Sequence, residues 1–85
     1  MRDTVQNILT PDNAVCGIKQ VKKMLKTKSA FKLYVASDAQ KQLVMPLCEL
    51  AESGEIPVVW VTTKHMLGEM CGIDVGCAAA VVRNR

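Results

Sequence analysis

The sequence contains few aromatic residues. Phe31, Tyr34 and Trp60 are the three in the whole chain, so its hydrophobic interior must be built from Val, Leu, Ile, Ala and Met. A protein that binds nucleic acid on a row of stacked aromatic rings is therefore excluded as a leading interpretation. Long apolar runs are missing too, since no window approaches the roughly 18 apolar residues that a membrane-spanning helix needs.

Close cysteine pairs are also absent. The four cysteines show no CxxC or CxxH spacing: Cys16, Cys48, Cys71 and Cys77. Structural zinc sites usually show paired close ligands, so the sequence predicts no metal site and leaves a four-thiolate zinc site as the less favoured alternative. The polar start of the chain does not resemble a secretory signal peptide. We expect a cytoplasmic protein whose thiols are reduced and mostly buried.

Patterns typical of catalysis are lacking as well. His65 is the single histidine, and a lone histidine on a helix is more often a surface residue than a general base. No serine or cysteine lies in a nucleophile-elbow context, and no spacing marks a pair of carboxylates. Cys71 fits a small core residue better than a reactive thiol. The sequence therefore predicts no catalytic residue, no cofactor and no enzyme.

The pattern of apolar residues that is present indicates a packed α/β domain. The chain has 85 residues, of which 49% are hydrophobic, and its mean hydropathy is +0.14. These values predict a single domain covering residues 1–85. Helical and strand periodicities alternate along it, which predicts a three-layer α/β/α sandwich around a mixed sheet of about four strands.

The periodicities also give approximate bounds for each element. We expect helices over 2–9, from Gly17 onward, over 40–52 and from Thr62 or Thr63 to Cys71, and strands over 14–16, 31–36, 56–61 and 77–82. The nearly all-apolar strand 56–61 is expected at the centre of the sheet. In the third helix, Ser37 or Asp38 is the expected cap, Leu43, Leu47, Leu50 and Ala51 are expected to face inward, and Pro46 predicts a kink or a new start. Gly72 is the expected end of the last helix.

Positive charge is concentrated in one stretch. The net charge is only +3, but positions 19–32 contain no acid and six lysines: Lys19, Lys22, Lys23, Lys26, Lys28 and Lys32. Ile18, Val21 and Leu25 recur at helical spacing and predict an inward stripe, so the lysines fall on the outer faces. The start of a helix offers free N–H groups and the positive end of the dipole, which favours phosphate binding near Gly17. The alternative is an ordinary solvated lysine face.

A second unusual segment is residues 68–76, with the sequence GEMCGIDVG. Three glycines surround the branched apolar residues Ile73 and Val75. If exposed, such side chains could pack against an unstacked base. The alternative is that both tuck under the sheet.

These segments carry a resemblance to a known family. GIKQVKK, the IPVVWV strand and TTKHMLGEMCGIDVGCAAAVV resemble the kink-turn RNA-binding ribosomal-protein family (the L-seven-Ae group), and the similarity is closest to its small bacterial, ribosomal-protein-like members. It covers roughly residues 14–82, and its most specific part is the pattern LG-x-x-CGI-x-VG-x-A-A at 67–79. The family fold is an α/β/α sandwich.

The resemblance implies an RNA site made of both segments. In the family, a glycine, an Asn-Glu pair and a lysine contact tandem sheared G·A pairs. The matching positions are Gly17, then Lys19 and Gln20 in place of Asn-Glu, then Lys23.

The family loop that covers the flipped-out base matches Ile73, Asp74, Val75 and Gly76, and Lys64 matches a family lysine near the RNA. Together with Lys22, these positions are the predicted RNA-binding residues. The expected protein is a cytoplasmic monomer that recognises a kink-turn, in ribosomal RNA or an mRNA leader, with ribosome association left open. Because Lys-Gln replaces Asn-Glu, a protein-interaction module with weak or lost RNA binding is the first alternative; a redox or metal protein is the second.

Overall fold

The computed structural model describes residues 9–83, which contain seven regular elements. In chain order these are β1 (Ala14–Cys16), α1 (Ile18–Lys26), β2 (Ala30–Ala36), α2 (Lys41–Ser53), β3 (Val58–Val61), α3 (Lys64–Cys71) and β4 (Ala79–Arg83). The helix predicted over 2–9 falls almost entirely outside the described residues. None of the helices in the described part of the chain is long and apolar enough to cross a membrane.

The four strands form one mixed sheet in the order β1-β4-β2-β3. Strand β4 runs antiparallel to both of its neighbours, β1 and β2, while β2 and β3 are parallel. The two inner strands are the most buried, as four consecutive residues of each, 33–36 and 79–82, are shielded from solvent. A strand buried on every residue must be covered on both faces of the sheet.

The helices supply that cover. Helices α1 and α2 pack against each other, and α3 lies apart from them and contacts all four strands. This arrangement confirms the predicted α/β/α sandwich. Helix α1 forms where expected because its apolar residues share one stripe: Val21 and Leu25 are fully buried, and Ile18 and Met24 are partly buried.

One strand prediction is wrong. The segment 56–61 was expected at the centre of the sheet, but β3 is an edge strand and the Trp60 side chain is 49% exposed. The physical reason is that β4, the last strand in sequence, inserts between β1 and β2 and leaves β3 with a single neighbour. Apolar content cannot distinguish these positions, since strand order depends on pairing between distant parts of the chain.

Helix α2 also differs in detail from its prediction. Leu43 is 42% exposed, and the inward stripe consists of Val44, Leu47, Cys48 and Ala51. Gln40, not Ser37 or Asp38, precedes the first turn, and its side chain makes no capping hydrogen bond. The helix continues through Pro46 rather than beginning there.

Helix α3 has the predicted ends. The Thr63 hydroxyl accepts a hydrogen bond from the Met66 N–H at 3.1 Å, as an N-cap residue should. Gly72 ends the helix with φ +79°, a left-handed conformation that glycine adopts without steric cost. The Asp38 carboxylate accepts a hydrogen bond from the Lys64 N–H at 2.8 Å and fixes this helix start to the segment after β2.

Candidate functional site

One edge of the sheet gathers the starts of all three helices. Strands β1, β2 and β3 point the same way, because β1 and β2 both run antiparallel to β4 and β3 is parallel to β2. Their carboxyl ends therefore lie at one edge, called here the carboxyl edge. Since α1, α2 and α3 each follow one of these strands, their amino ends lie there too, and β4 begins at the same edge.

The start of α1 is open to solvent. Gly17 has φ +104°, its N–H donates to the carbonyl oxygen of Ala79 at 3.3 Å, and no side chain caps the first helical turn. Helix α3, in contrast, is capped by Thr63. The first turn of α1 thus presents backbone N–H groups and the positive end of the helix dipole to whatever binds there.

Lysines continue this positive surface along α1. Lys19, Lys22 and Lys23 are exposed, as is Gln20, and the three lysines line a shallow groove of about 350 Å³ with Lys26 and Thr27. The one side-chain contact of salt-bridge geometry found among residues 9–83 lies between His65 Nε2 and a carboxylate oxygen of Glu69, both on α3, at 3.1 Å. No acidic side chain in that part of the chain forms an ion pair with the α1 lysines, although Glu49 of α2 lines a shallow pocket with Lys22 and Lys26.

The glycine loop, defined as residues 72–76, exposes its apolar side chains. Ile73 is 38% exposed and Val75 is 68% exposed, so the alternative in which both are tucked under the sheet is wrong. Asp74 and Gly76 are exposed as well. Leaving two branched side chains in water at a loop is unfavourable for the isolated protein, and such a patch is typical of a binding surface.

Backbone contacts hold the glycine loop against α3. The Ile73 N–H donates to the Gly68 carbonyl and the Cys77 N–H donates to the Lys64 carbonyl, both at 3.0 Å. A β-carbon at position 68 would overlap the carbonyl oxygen of Val75. Glycine at position 68 therefore permits the loop to pack directly against α3.

The start of α1 and the glycine loop lie side by side. They line a common pocket of about 320 Å³, to which Gly17 and Ile18 contribute from one side and Ile73 and Gly76 from the other. Lys64 is exposed at the start of α3, and a β-carbon at Gly76 would lie 3.1 Å from its β-carbon. The fold thus brings Gly17, Ile73 and Gly76 together and extends the surface to the α1 lysines on one side and Lys64 on the other.

Three of the four cysteines come together in the fold, whereas the sequence offered only a four-thiolate site as an alternative and did not distinguish Cys48 from the other three. The Sγ atoms of Cys16, Cys71 and Cys77 all lie within 4.8 Å of one another, next to the pocket. Burial raises the pKa of the Cys16 and Cys77 thiols to about 11, and it also raises the pKa of Cys71. Linear spacing gave no signal for this cluster, which depends on the pairing of β1 with β4 and on the turn at Gly72.

Sequence comparison places this chain among known proteins. A sequence model of the ribosomal protein L7Ae/L30e/S12e/Gadd45 family matches residues 1–85. The chain is 39% identical over 70 residues to a protein of Caldanaerobacter subterraneus that is named an RNA-binding protein. The aligned residues make up 82% of this chain and 85% of that protein. The chain is 31% identical over 77 residues to the RNA-binding protein YbxF of Geobacillus stearothermophilus, covering 91% and 94%.

A ribosomal protein and a solved structure extend the comparison. The large ribosomal subunit protein eL8 of Halobacterium salinarum is 39% identical over 67 residues, covering 78% of this chain and 56% of that protein. The structure of a 15.5 kD RNA-binding protein from Giardia lamblia superimposes with a TM-score of 0.81 at 19% identity, covering 100% of this chain and 77% of that chain. At that identity the likeness is one of fold.

Proposed function

The chain belongs to the ribosomal protein L7Ae/L30e/S12e/Gadd45 family, and we propose that it is a non-enzymatic, ribosomal-protein-like RNA-binding protein that recognises a kink-turn or a similarly bent internal loop. Its relatives in Caldanaerobacter and Geobacillus are named RNA-binding proteins. A cytoplasmic monomer, bound to ribosomal RNA or to an mRNA leader, is part of the same proposal.

The observation that carries the proposal is the position of the glycine loop. The loop shares one pocket with the uncapped start of α1, while Ile73 and Val75 remain exposed beside it. An anion-binding helix terminus and an apolar patch at the same place fit a ligand that is charged along its backbone and apolar on its base faces. Nucleic acid with an extruded base has that combination.

The mechanism follows from the electrostatics of a bent RNA. A kink-turn brings two phosphate backbones close together, which costs Coulomb energy. Lys19, Lys22, Lys23 and the helix terminus relieve that repulsion in the bent conformation and not in the extended one. The protein then selects the bent conformation because it binds that conformation better, and its affinity reports RNA shape as well as RNA charge.

Individual residues have distinct roles in this proposal. The Gln20 amide offers both a donor and an acceptor to the edges of the G·A pairs. Ile73 and Val75 pack against the extruded base, and Gly76 lets the RNA backbone approach closely. Lys64 contacts a phosphate from the far side of the loop. Asp74, at the loop tip, accepts a hydrogen bond from the RNA.

Salt dependence tests the phosphate part of the proposal. Four lysines (Lys19, Lys22, Lys23 and Lys64) that each neutralise one phosphate give a slope of log K against log salt between about −2.8 and −3.6, so raising KCl from about 50 to about 200 mM should weaken binding roughly 50- to 150-fold. Fluorescence anisotropy with a labelled kink-turn RNA measures the slope. Affinity that does not change with salt would contradict the proposal.

A protein-interaction module is the second candidate function. The specific observation in its favour is the exposure of large apolar side chains that the proposed RNA contacts do not use, namely Trp60 (49%) on the edge strand β3 and Met45 (43%) on α2. Partner capture by a variant that has lost its α1 lysines separates this function from RNA binding.

A further inference from the structure

The three-cysteine cluster lies where distant parts of the fold converge. Cys16 ends β1, Cys71 ends α3, and Cys77 lies just before β4. Their Sγ atoms come within 4.8 Å of one another, and all three thiols are free. Core packing alone does not require three sulfur atoms to converge, because any small apolar side chain would fill the same volume.

We propose that Cys16, Cys71 and Cys77 form a binding site for one thiophilic d¹⁰ metal ion, Zn²⁺ or Cu⁺. Thiolate sulfur is the ligand that both ions prefer in proteins. With metal–sulfur bonds of about 2.3 Å, three sulfur atoms around one ion lie about 3.8 to 4.0 Å apart. The Sγ atoms lie at most 4.8 Å apart, so their separations exceed that spacing by no more than about 1 Å.

The surroundings of the cluster define the rest of the coordination. Among residues 9–83, no histidine or carboxylate joins the three thiols as a fourth ligand. Cys16 and Cys77 line the pocket between the start of α1 and the glycine loop, so a water molecule can reach the ion from that side. Zn²⁺ would then be tetrahedral, with three sulfur atoms and one water. Cu⁺ would be bound by the three sulfur atoms alone.

Proton release accompanies binding. Cysteine binds metal ions as the thiolate, so each of the three sulfur ligands gives up its proton when the ion binds. Each metal–sulfur bond forms as the sulfhydryl proton passes to the buffer, so binding releases up to three protons from the three thiols. Affinity therefore rises with pH, since fewer protons then compete with the ion.

The ion would connect the two halves of the proposed RNA surface. Cys16 immediately precedes Gly17, and Cys77 immediately follows Gly76. A bound ion would fix the start of α1 relative to the glycine loop and stabilise the folded state, as any ligand of the native state does. The metal site itself is independent of the proposed function, because its test needs no RNA.

The test uses the full chain, reduced with a phosphine, stripped of metal by a chelator and desalted without oxygen. Zn²⁺ and Cu⁺ are titrated separately against chromophoric chelators of known affinity, and melting is followed by circular dichroism. We expect one ion per chain with a dissociation constant below about 10⁻⁷ M for at least one of the ions, together with a higher melting temperature.

Two serine variants assign the ligands. Cys16→Ser changes a half-buried member of the cluster, and we expect at least about 100-fold weaker binding, since losing even an outer-shell partner costs about 10- to 100-fold. Cys48→Ser is the matched control, because Cys48 lies in α2 outside the cluster and should leave metal affinity unchanged. In the unmutated chain, Co²⁺ should produce thiolate-to-cobalt charge-transfer bands. Absence of stoichiometric binding and of these bands, or equal affinity in the two variants, would overturn the proposal.

Discussion

A kink-turn RNA is expected to bind at least about 10³-fold more tightly than a control duplex of equal length in which Watson–Crick pairs replace the tandem G·A pairs. This factor is the lower end of the usual ratio between specific and non-specific affinity for nucleic acid. The two RNAs carry the same number of phosphates, so the lysines of α1 attract both. They differ in shape. Two phosphate backbones and an extruded base can reach the carboxyl edge together only when the RNA is kinked.

A pair of anisotropy titrations at one salt concentration measures the two affinities. Bending is measured on a second sample of each RNA, which carries a donor dye on one arm and an acceptor dye on the other. Binding should shift the kink-turn RNA to high energy-transfer efficiency and leave the paired duplex unchanged. Equal affinities for the two RNAs would leave only non-specific attraction to phosphate, and the shape-selection mechanism would be wrong.

Removing two lysines of α1 is expected to weaken binding to kink-turn RNA by about 10²-fold or more, because each charge-assisted contact is worth about 1.5 to 3 kcal/mol. Lys19 and Lys23 lie one helical turn apart on the same exposed face, so the Lys19→Ala, Lys23→Ala double variant removes two neighbouring phosphate contacts. The slope of log K against log salt should also fall in magnitude by nearly two. Alanine is a strong helix former, and helix α1 should remain intact.

The matched control changes net charge by the same amount at the opposite edge of the sheet. Lys28 follows the carboxyl end of α1 and Lys32 lies near the beginning of β2, both away from the carboxyl edge. Asparagine suits position 28, where φ is +56°, so the control is Lys28→Asn with Lys32→Ala. Equal losses in both double variants would mean that total charge, and not the α1 face, determines affinity. If the α1 variant lost RNA but still captured a protein partner from lysate, the protein-interaction function would gain support.

The features that were predictable from sequence are those set by local chemistry. The apolar stripe of α1, the Thr63 cap and the left-handed Gly72 each depend on residues within one or two helical turns, and each is confirmed. The family was also identifiable from the 67–79 pattern and is confirmed by the match over residues 1–85. The exposure of Ile73 and Val75 was left open, since a short loop pattern does not say which way its side chains point.

The features that were missed depend on contacts between distant segments. Strand 56–61 looks like a central strand because it is apolar, but the sheet order is decided by where β4 inserts. Cys16 and Cys77 appear unrelated in the sequence, and the antiparallel pairing of β1 with β4 brings them together. Ser37 or Asp38 is the cap that the sequence predicts for α2, whereas the Asp38 carboxylate accepts a hydrogen bond from the Lys64 N–H at the start of α3.

The central claim is that a single bent RNA contacts the start of α1 and the glycine loop at the same time, and backbone amide NMR tests it most directly. On titration with unlabelled kink-turn RNA, we expect the amides of Gly17, Lys19 and Gln20 to shift together with those of Ile73, Val75 and Gly76, all with one dissociation constant. Amides at the opposite edge, such as those of Ala30 at the start of β2 and Glu55 after α2, should remain in place. Shifts confined to one of the two segments, or two dissociation constants for them, would contradict the account.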